Sequence, residues 1–130
     1  MNKEIKQDIL IILYELKEQL KQVDVDINYT NVLYDTLTDI CLENKIMIYS
    51  EMAENKIASF IKRFSILNID TSNEINTSNK IKIKANAFAR CLKLEKEINE
   101  HKEEYIDISN IMYNLKSDIK KLTLFYEKHN

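Results

Sequence analysis

Across 130 residues there is no glycine and no proline, where ordinary usage would supply about nine of one and six of the other. This double absence constrains the fold more than any motif in the chain. Glycine takes positive φ at little cost and lets backbone approach a ligand closely. Phosphate-cradling loops, dinucleotide fingerprints and nucleophile elbows are all written around it, so none can be built here. Two-residue hairpins and type II turns lose their favoured residue as well, which argues against a sheet-rich chain. No proline interrupts a helix. The class that remains is all-α.

Apolar periodicity divides the chain into four or five helices. The first is expected over 3–22, with Ile5, Ile9, Ile12, Leu16, Leu20 and Val23 on one face. Asn2 is placed to cap it, and Glu4 and Lys21 suit the dipole at either end. Leu10, Ile11, Leu13 and Tyr14 widen the apolar face, so this helix is either central in a bundle or shared with a second chain. Residues 23–30 read as a connector, with Asn28 or Thr30 capping a second helix over 31–44 on the stripe Leu33, Leu37, Ile40 and Cys41. A third helix is expected over 47–67, carried by Met47, Met52, Ile57, Phe60, Ile61, Phe64 and Leu67, with a bend between 44 and 50. The polar run 68–79 is the best loop, because its Asn, Ser and Thr side chains favour bonds to local backbone.

Beyond that loop two helices are expected, over 79–104 and 108–128. The first carries Ile81, Ala85, Phe88, Leu92 and Ile98; the second carries Tyr105, Ile108, Met112, Leu115, Ile119, Leu122 and Tyr126. One long C-terminal helix over 79–128 is the alternative. The break is favoured because Glu100, Glu103 and Glu104 oppose the dipole at a helix C-terminus, yet feed well into a helix starting after Asp107 or Ser109. The expected architecture is a four- or five-helix bundle in up-down order, forming a single helical domain over 1–130. Its core should hold Leu13, Leu16, Leu33, Leu37, Phe60, Phe64, Phe88, Leu92, Met112, Leu115, Ile119 and Leu122.

Bulk composition narrows function by exclusion. Apolar residues are 45% and charged residues 31% of the chain, and the formal charge is −2. That is a globular balance with no global pull toward nucleic acid or an anionic membrane. The unbroken apolar run from Ile9 to Tyr14 is shorter than a secretory core and far shorter than the roughly 20 residues of a membrane span, so the expected location is cytoplasmic. The two cysteines, Cys41 and Cys91, sit among apolar neighbours and read as buried free thiols. Ile, Lys, Asn and Tyr dominate the composition while arginine occurs only at Arg63 and Arg90. Codons for the favoured types are AT-rich, which points to an AT-rich genome: a low-GC bacterium, its phages or mobile elements, or an AT-rich eukaryote or virus.

Catalytic and metal chemistry find few residues to stand on. A di-iron helical site needs Glu-x-x-His twice, and Ile98 stands three before His101. Glu97, Glu100, His101 and Glu104 read as a solvated helix face, and no Cys-x-x-Cys pair favours zinc. Neither cysteine is spaced from a histidine in any nucleophilic pattern. The chain is expected to be no enzyme and to need no metal or cofactor. A helix-turn-helix fitted to residues 50–64 puts Ile57 or Lys62 at the turn, a poor match.

Two local features remain. Lys80, Lys82, Lys84, Arg90, Lys93 and Lys96 make a basic stretch, followed by acidic Glu100, Glu103 and Glu104. The tyrosines and methionines along the helices are residue types enriched at protein interfaces. The function expected is therefore a small non-enzymatic protein that acts by occupying another protein's surface. Inhibitors carried by phages and mobile elements, anti-CRISPR proteins and other anti-defence proteins among them, are of this type, as are immunity proteins; if virus-encoded, it would work in the host cytoplasm. The two charged clusters would orient docking. A nucleic-acid-associated regulator using the 80–96 face and a structural helical homo-oligomer are the alternatives. No membrane partner is expected.

Overall fold

A computed structural model describes residues 2–44, 46, 77–100 and 107–129. Four helices account for most of them: α1 (Lys3–Lys21), α2 (Ile27–Glu43), α3 (Thr77–Glu100) and α4 (Ser109–His129). The all-α class is thus observed, with helices in a bundle around one shared core. The expected helix over 47–67, its core residues Phe60 and Phe64, and the expected loop over 68–79 as far as residue 76 lie outside the described residues; the last three residues of that loop, 77–79, are helical.

Local chemistry sets the helix ends. Asn2 Oδ1 accepts the Glu4 N–H at 2.8 Å, the expected cap. The connector is shorter than the sequence implies. Asp26, and not Asn28 or Thr30, caps α2: its Oδ1 accepts the Tyr29 N–H at 3.0 Å. Thr30 lies one turn inside, buried, with its hydroxyl donating to the Asp26 carbonyl at 2.8 Å. Val23, expected on the α1 core stripe, falls beyond the helix and is exposed.

The C-terminal half is two helices. α3 begins at Thr77 and ends at Glu100; Asp107 opens α4 by accepting both the Ser109 N–H at 2.9 Å and the Ser109 hydroxyl. A carboxylate at the positive end of α4 is the arrangement the dipole favours. The continuous 79–128 helix is excluded.

Contacts fix the topology. α1 packs on α2 and α3, and α4 packs on α3 and α2, so the four helices close a ring. Lys6 Nζ donates to the Asn99 carbonyl and Lys84 Nζ to the Gln22 carbonyl, which makes α1 and α3 antiparallel. Asn31 Nδ2 donates to Thr123 Oγ1 at 3.0 Å, and the buried Tyr34 hydroxyl donates to the Met112 carbonyl at 3.2 Å; α2 and α4 are antiparallel too. α2 and α3 therefore lie diagonally across the bundle and run the same way.

The core matches expectation at Leu13, Leu16, Leu33, Leu37, Met112, Leu115, Ile119 and Leu122, all buried. Cys41 and Cys91 are buried free thiols, and burial pushes both up to about 12. One helix departs from the sequence reading. The buried stripe of α3 is Ala87, Cys91, Leu94 and Ile98; Leu92 is 47% exposed and Phe88 only half-buried. Both stripes have helical spacing, and the larger side chains pointed to the wrong one. Small residues at 87 and 91 let α3 approach α1 and α4 closely, since interaxial distance follows the side chains at the contact.

Candidate protein-docking face

The displaced stripe is the most unusual surface among the described residues. Ile81, Ala85, Phe88 and Leu92 recur at intervals of four, three and four, an apolar helix face of the kind that normally meets another helix. Ile81 is 61% exposed and Leu92 47%. The same face continues as Glu95 and Asn99, which turn to α1: Glu95 pairs with Lys17 at 2.5 Å, and the Asn99 carbonyl accepts from Lys6. The stripe therefore runs along the outer side of the α1–α3 seam.

α1 contributes a matching edge. Leu10, Tyr14, Lys17 and Lys21 share one face, the one that reaches Glu95 through Lys17 and brings Lys21 Nζ to 5.8 Å from the Phe88 ring centroid. Tyr14 is 55% exposed, and Ile11 beside it is also exposed. Polar contacts pin the seam at Lys6 with Asn99, at Lys17 with Glu95 and at Lys84 with Gln22. Near the α1 C-terminus it opens into a cavity of about 400 Å³ lined by Leu20, Lys21, Ile81, Lys84, Ala85 and Phe88. Aliphatic and aromatic walls with two lysines at the margin can accept a large apolar side chain.

The structure divides the basic stretch that stands out in the sequence. Three of its members hold contacts within the chain. Lys80 Nζ lies 5.2 Å from the Phe125 ring centroid and 5.5 Å from that of Tyr126, a cation–π arrangement. Lys84 donates to the Gln22 carbonyl, and burial, then the nearby Lys80 charge, lowers its pKa. Arg90 Nε faces the Asp118 carboxylate at 4.0 Å. Lys82, Lys93 and Lys96 are exposed and, among the described residues, hold no ion pair. With Ala89 they form the helix stripe next to the apolar one, and exposed Glu100 ends it. Glu103 and Glu104 lie outside the described residues.

Sequence reasoning missed the Asp118 environment. Asp118 is 6% exposed, its Oδ2 has no hydrogen bond, and burial raises its pKa to about 6 against the pull of Lys121 and Arg90. Nothing in the local pattern flags it, because Ser117, Asp118 and Lys120 look like a solvated face of α4. Of the tyrosines, Tyr34 is core and Tyr126 accepts the Val25 N–H with its hydroxyl, whereas Tyr14 and Tyr29 are exposed. Tyr49 and Tyr105 lie outside the described residues.

Among the described residues no three His, Cys, Asp or Glu side chains converge as metal ligands, and no helix is long and apolar enough to cross a membrane. No protein-family model, curated protein or solved structure matches the chain.

Proposed function

We propose that this protein is a non-enzymatic binding protein that docks another protein along the α1–α3 seam. The observation that carries this reading is the apolar stripe Ile81, Ala85, Phe88 and Leu92. Ile81, Ala85 and Leu92 are exposed at helical spacing, with half-buried Phe88 between them, beside exposed Tyr14 and a cavity of about 400 Å³. Scattered exposed apolar residues are ordinary on a protein surface; a contiguous, rimmed group of them marks an interaction site. Covering the exposed half of Ile81, Leu92 and Tyr14 would supply about 1 kcal/mol each at ordinary transfer values, enough for a central anchor cluster.

Acting by covering a partner's working surface is the mode such a chain would use, as phage-borne inhibitors and immunity proteins do. A nucleic-acid role draws less support, because Lys80, Lys84 and Arg90 are engaged within the chain and only three lysines of the stretch face outward.

The test is affinity capture from lysate of cells that carry the gene, with nuclease present, using the parent chain and the variants Leu92→Lys and Leu42→Lys. One protein retained in stoichiometric amount by the parent and by Leu42→Lys, but lost with Leu92→Lys, supports the seam. Equal retention by all three removes it. Recovery that collapses on nuclease treatment transfers support to the nucleic-acid reading.

A further inference from the structure

Resting on that reading, we infer that the docked element is an amphipathic α-helix whose acidic flank lies against Lys82, Lys93 and Lys96.

Three features of the seam select this occupant. First, the receiving surface is made of two antiparallel helices, and its apolar residues on α3, exposed except for half-buried Phe88, stand at i, i+4, i+7 and i+11. That is the ridge spacing into which the side chains of another helix fit. Second, the cavity between Leu20, Ile81, Ala85 and Phe88 lies at one end of the stripe, so the incoming helix carries one large apolar anchor at its end and smaller contacts over Phe88 and Leu92. Third, the charge is one-sided. The stripe bordering the groove on the α3 side is Lys82, Ala89, Lys93 and Lys96; exposed Glu97 flanks it on the side away from the groove, and Glu100 ends it.

The diagonally opposite helix has the reverse composition. α2 carries exposed Asp35, Asp39 and Glu43 and no lysine or arginine. Among the described residues, the stripe beside the apolar seam is thus basic and α2 itself acidic, with Lys116 of α4 over the Tyr34 ring, an arrangement that favours an acidic element at the seam over a basic one. The opposite edge of the groove, along α1, is Tyr14 and Ile11 with Glu18 beyond. The carboxylates of the docked helix therefore fall on its α3 side, and its α1 side is apolar or neutral.

Two designed amphipathic peptides of about five helical turns test this. They share one apolar stripe and differ only in flanking residues, all glutamate in one and all lysine in the other. Fluorescence anisotropy measures affinity, and amide chemical shifts of the labelled full chain locate the site. The glutamate peptide should bind at least about tenfold more tightly than its lysine twin, and should weaken as salt rises. Its shifts should fall on residues 10–21 of α1 and 81–96 of α3. In the double variant Lys82→Glu with Lys93→Glu the preference should reverse, so that the lysine peptide becomes the tighter ligand. All substituted positions are exposed, so the fold is retained and the reversal cannot come from unfolding.

Equal affinity for the two peptides, no binding of either, or shifts centred on α2 or α4 would overturn the inference. So would a dimer in sedimentation that Leu92→Lys dissociates, because a second copy would then be the occupant. Failure here is separable from failure of the docking reading. A natural partner that Leu92→Lys releases and the double glutamate variant does not would keep the seam and remove the acidic helix. A partner indifferent to Leu92→Lys would remove both.

Discussion

Replacing Asp118 by asparagine should stabilise the protein at neutral pH, and the gain should vanish in acid. The carboxylate is 6% exposed, and Arg90 Nε stands at 4.0 Å from it, beyond hydrogen-bond reach. Desolvation outweighs the attraction of Lys121 and Arg90, raising the group from its ordinary 3.8 to about 6. The folded protein therefore binds this proton more tightly than the unfolded chain does. Its contribution to stability is fully present below 3.8 and is lost as pH rises through 6. At 1.36 kcal/mol per factor of ten, that rise corresponds to about 3 kcal/mol. Asparagine keeps the shape and removes the charge, but its buried amide costs about 1–2 kcal/mol where it lacks partners. The expected net gain is about 1–2 kcal/mol near pH 7.5, falling to zero or below it near pH 4. Urea unfolding across that range measures it, with an unchanged slope confirming that the states are comparable. A variant less stable than the parent at pH 7.5, by an amount that does not change toward pH 4, would refute the reasoning. Asp118 would then be a well-compensated partner of Arg90.

The packing makes other expectations. Leu94→Ala should cost about 2–5 kcal/mol in the same unfolding assay and Leu92→Ala less than about 1 kcal/mol, because Leu94 is fully buried and Leu92 half-exposed; comparable losses would mean that α3 is rotated from the orientation described. Cys41 and Cys91, buried and pushed to about 12, should react with a thiol reagent at pH 8 only as the bundle opens. Prompt labelling of either in the native protein would contradict their placement. Asp26→Ala should cost about 1 kcal/mol through loss of the α2 cap, whereas Asn28→Ala should change stability by less than about half that; a larger loss at Asn28 would put the helix start where the sequence reading had it.

The parts of this fold that were legible in the sequence are those where one physical signal acts alone. Missing glycine and proline left only helices. The stripe Met112, Leu115, Ile119, Leu122 is apolar on one side of α4 and admits one register. The acidic run before residue 108 marked a helix start, and Asp107 fills that role. The reading failed where two signals competed. Asp26 lost to Asn28 and Thr30 because Val23, Val25 and Ile27 alternate with polar residues and mask the first turn of α2. On α3, Phe88 and Leu92 outweigh Ala87 and Cys91 in size, yet small residues serve best where three helices crowd together. The docking face was hidden by that same error, since a stripe assigned to the core is not available as a surface. The outward lysines were visible as a cluster, but which of them the chain itself occupies depends on Gln22, Asp118 and Phe125, all distant in sequence. Asp118 carried no signal, because its burial comes from how α3 packs on α4.

The most direct test of the seam places a photo-crosslinking side chain at one position at a time and illuminates cells that make the protein. The substituted positions are Ile81 and Leu92 on the α3 stripe, with Val32 and Leu42 on α2 as controls of similar exposure. Docking along α1 and α3 predicts a single heterologous protein adduct from Ile81 and Leu92 and none from Val32 or Leu42. Adducts from the α2 positions alone, or adducts from Leu92 that contain only a second copy of the chain, would contradict it.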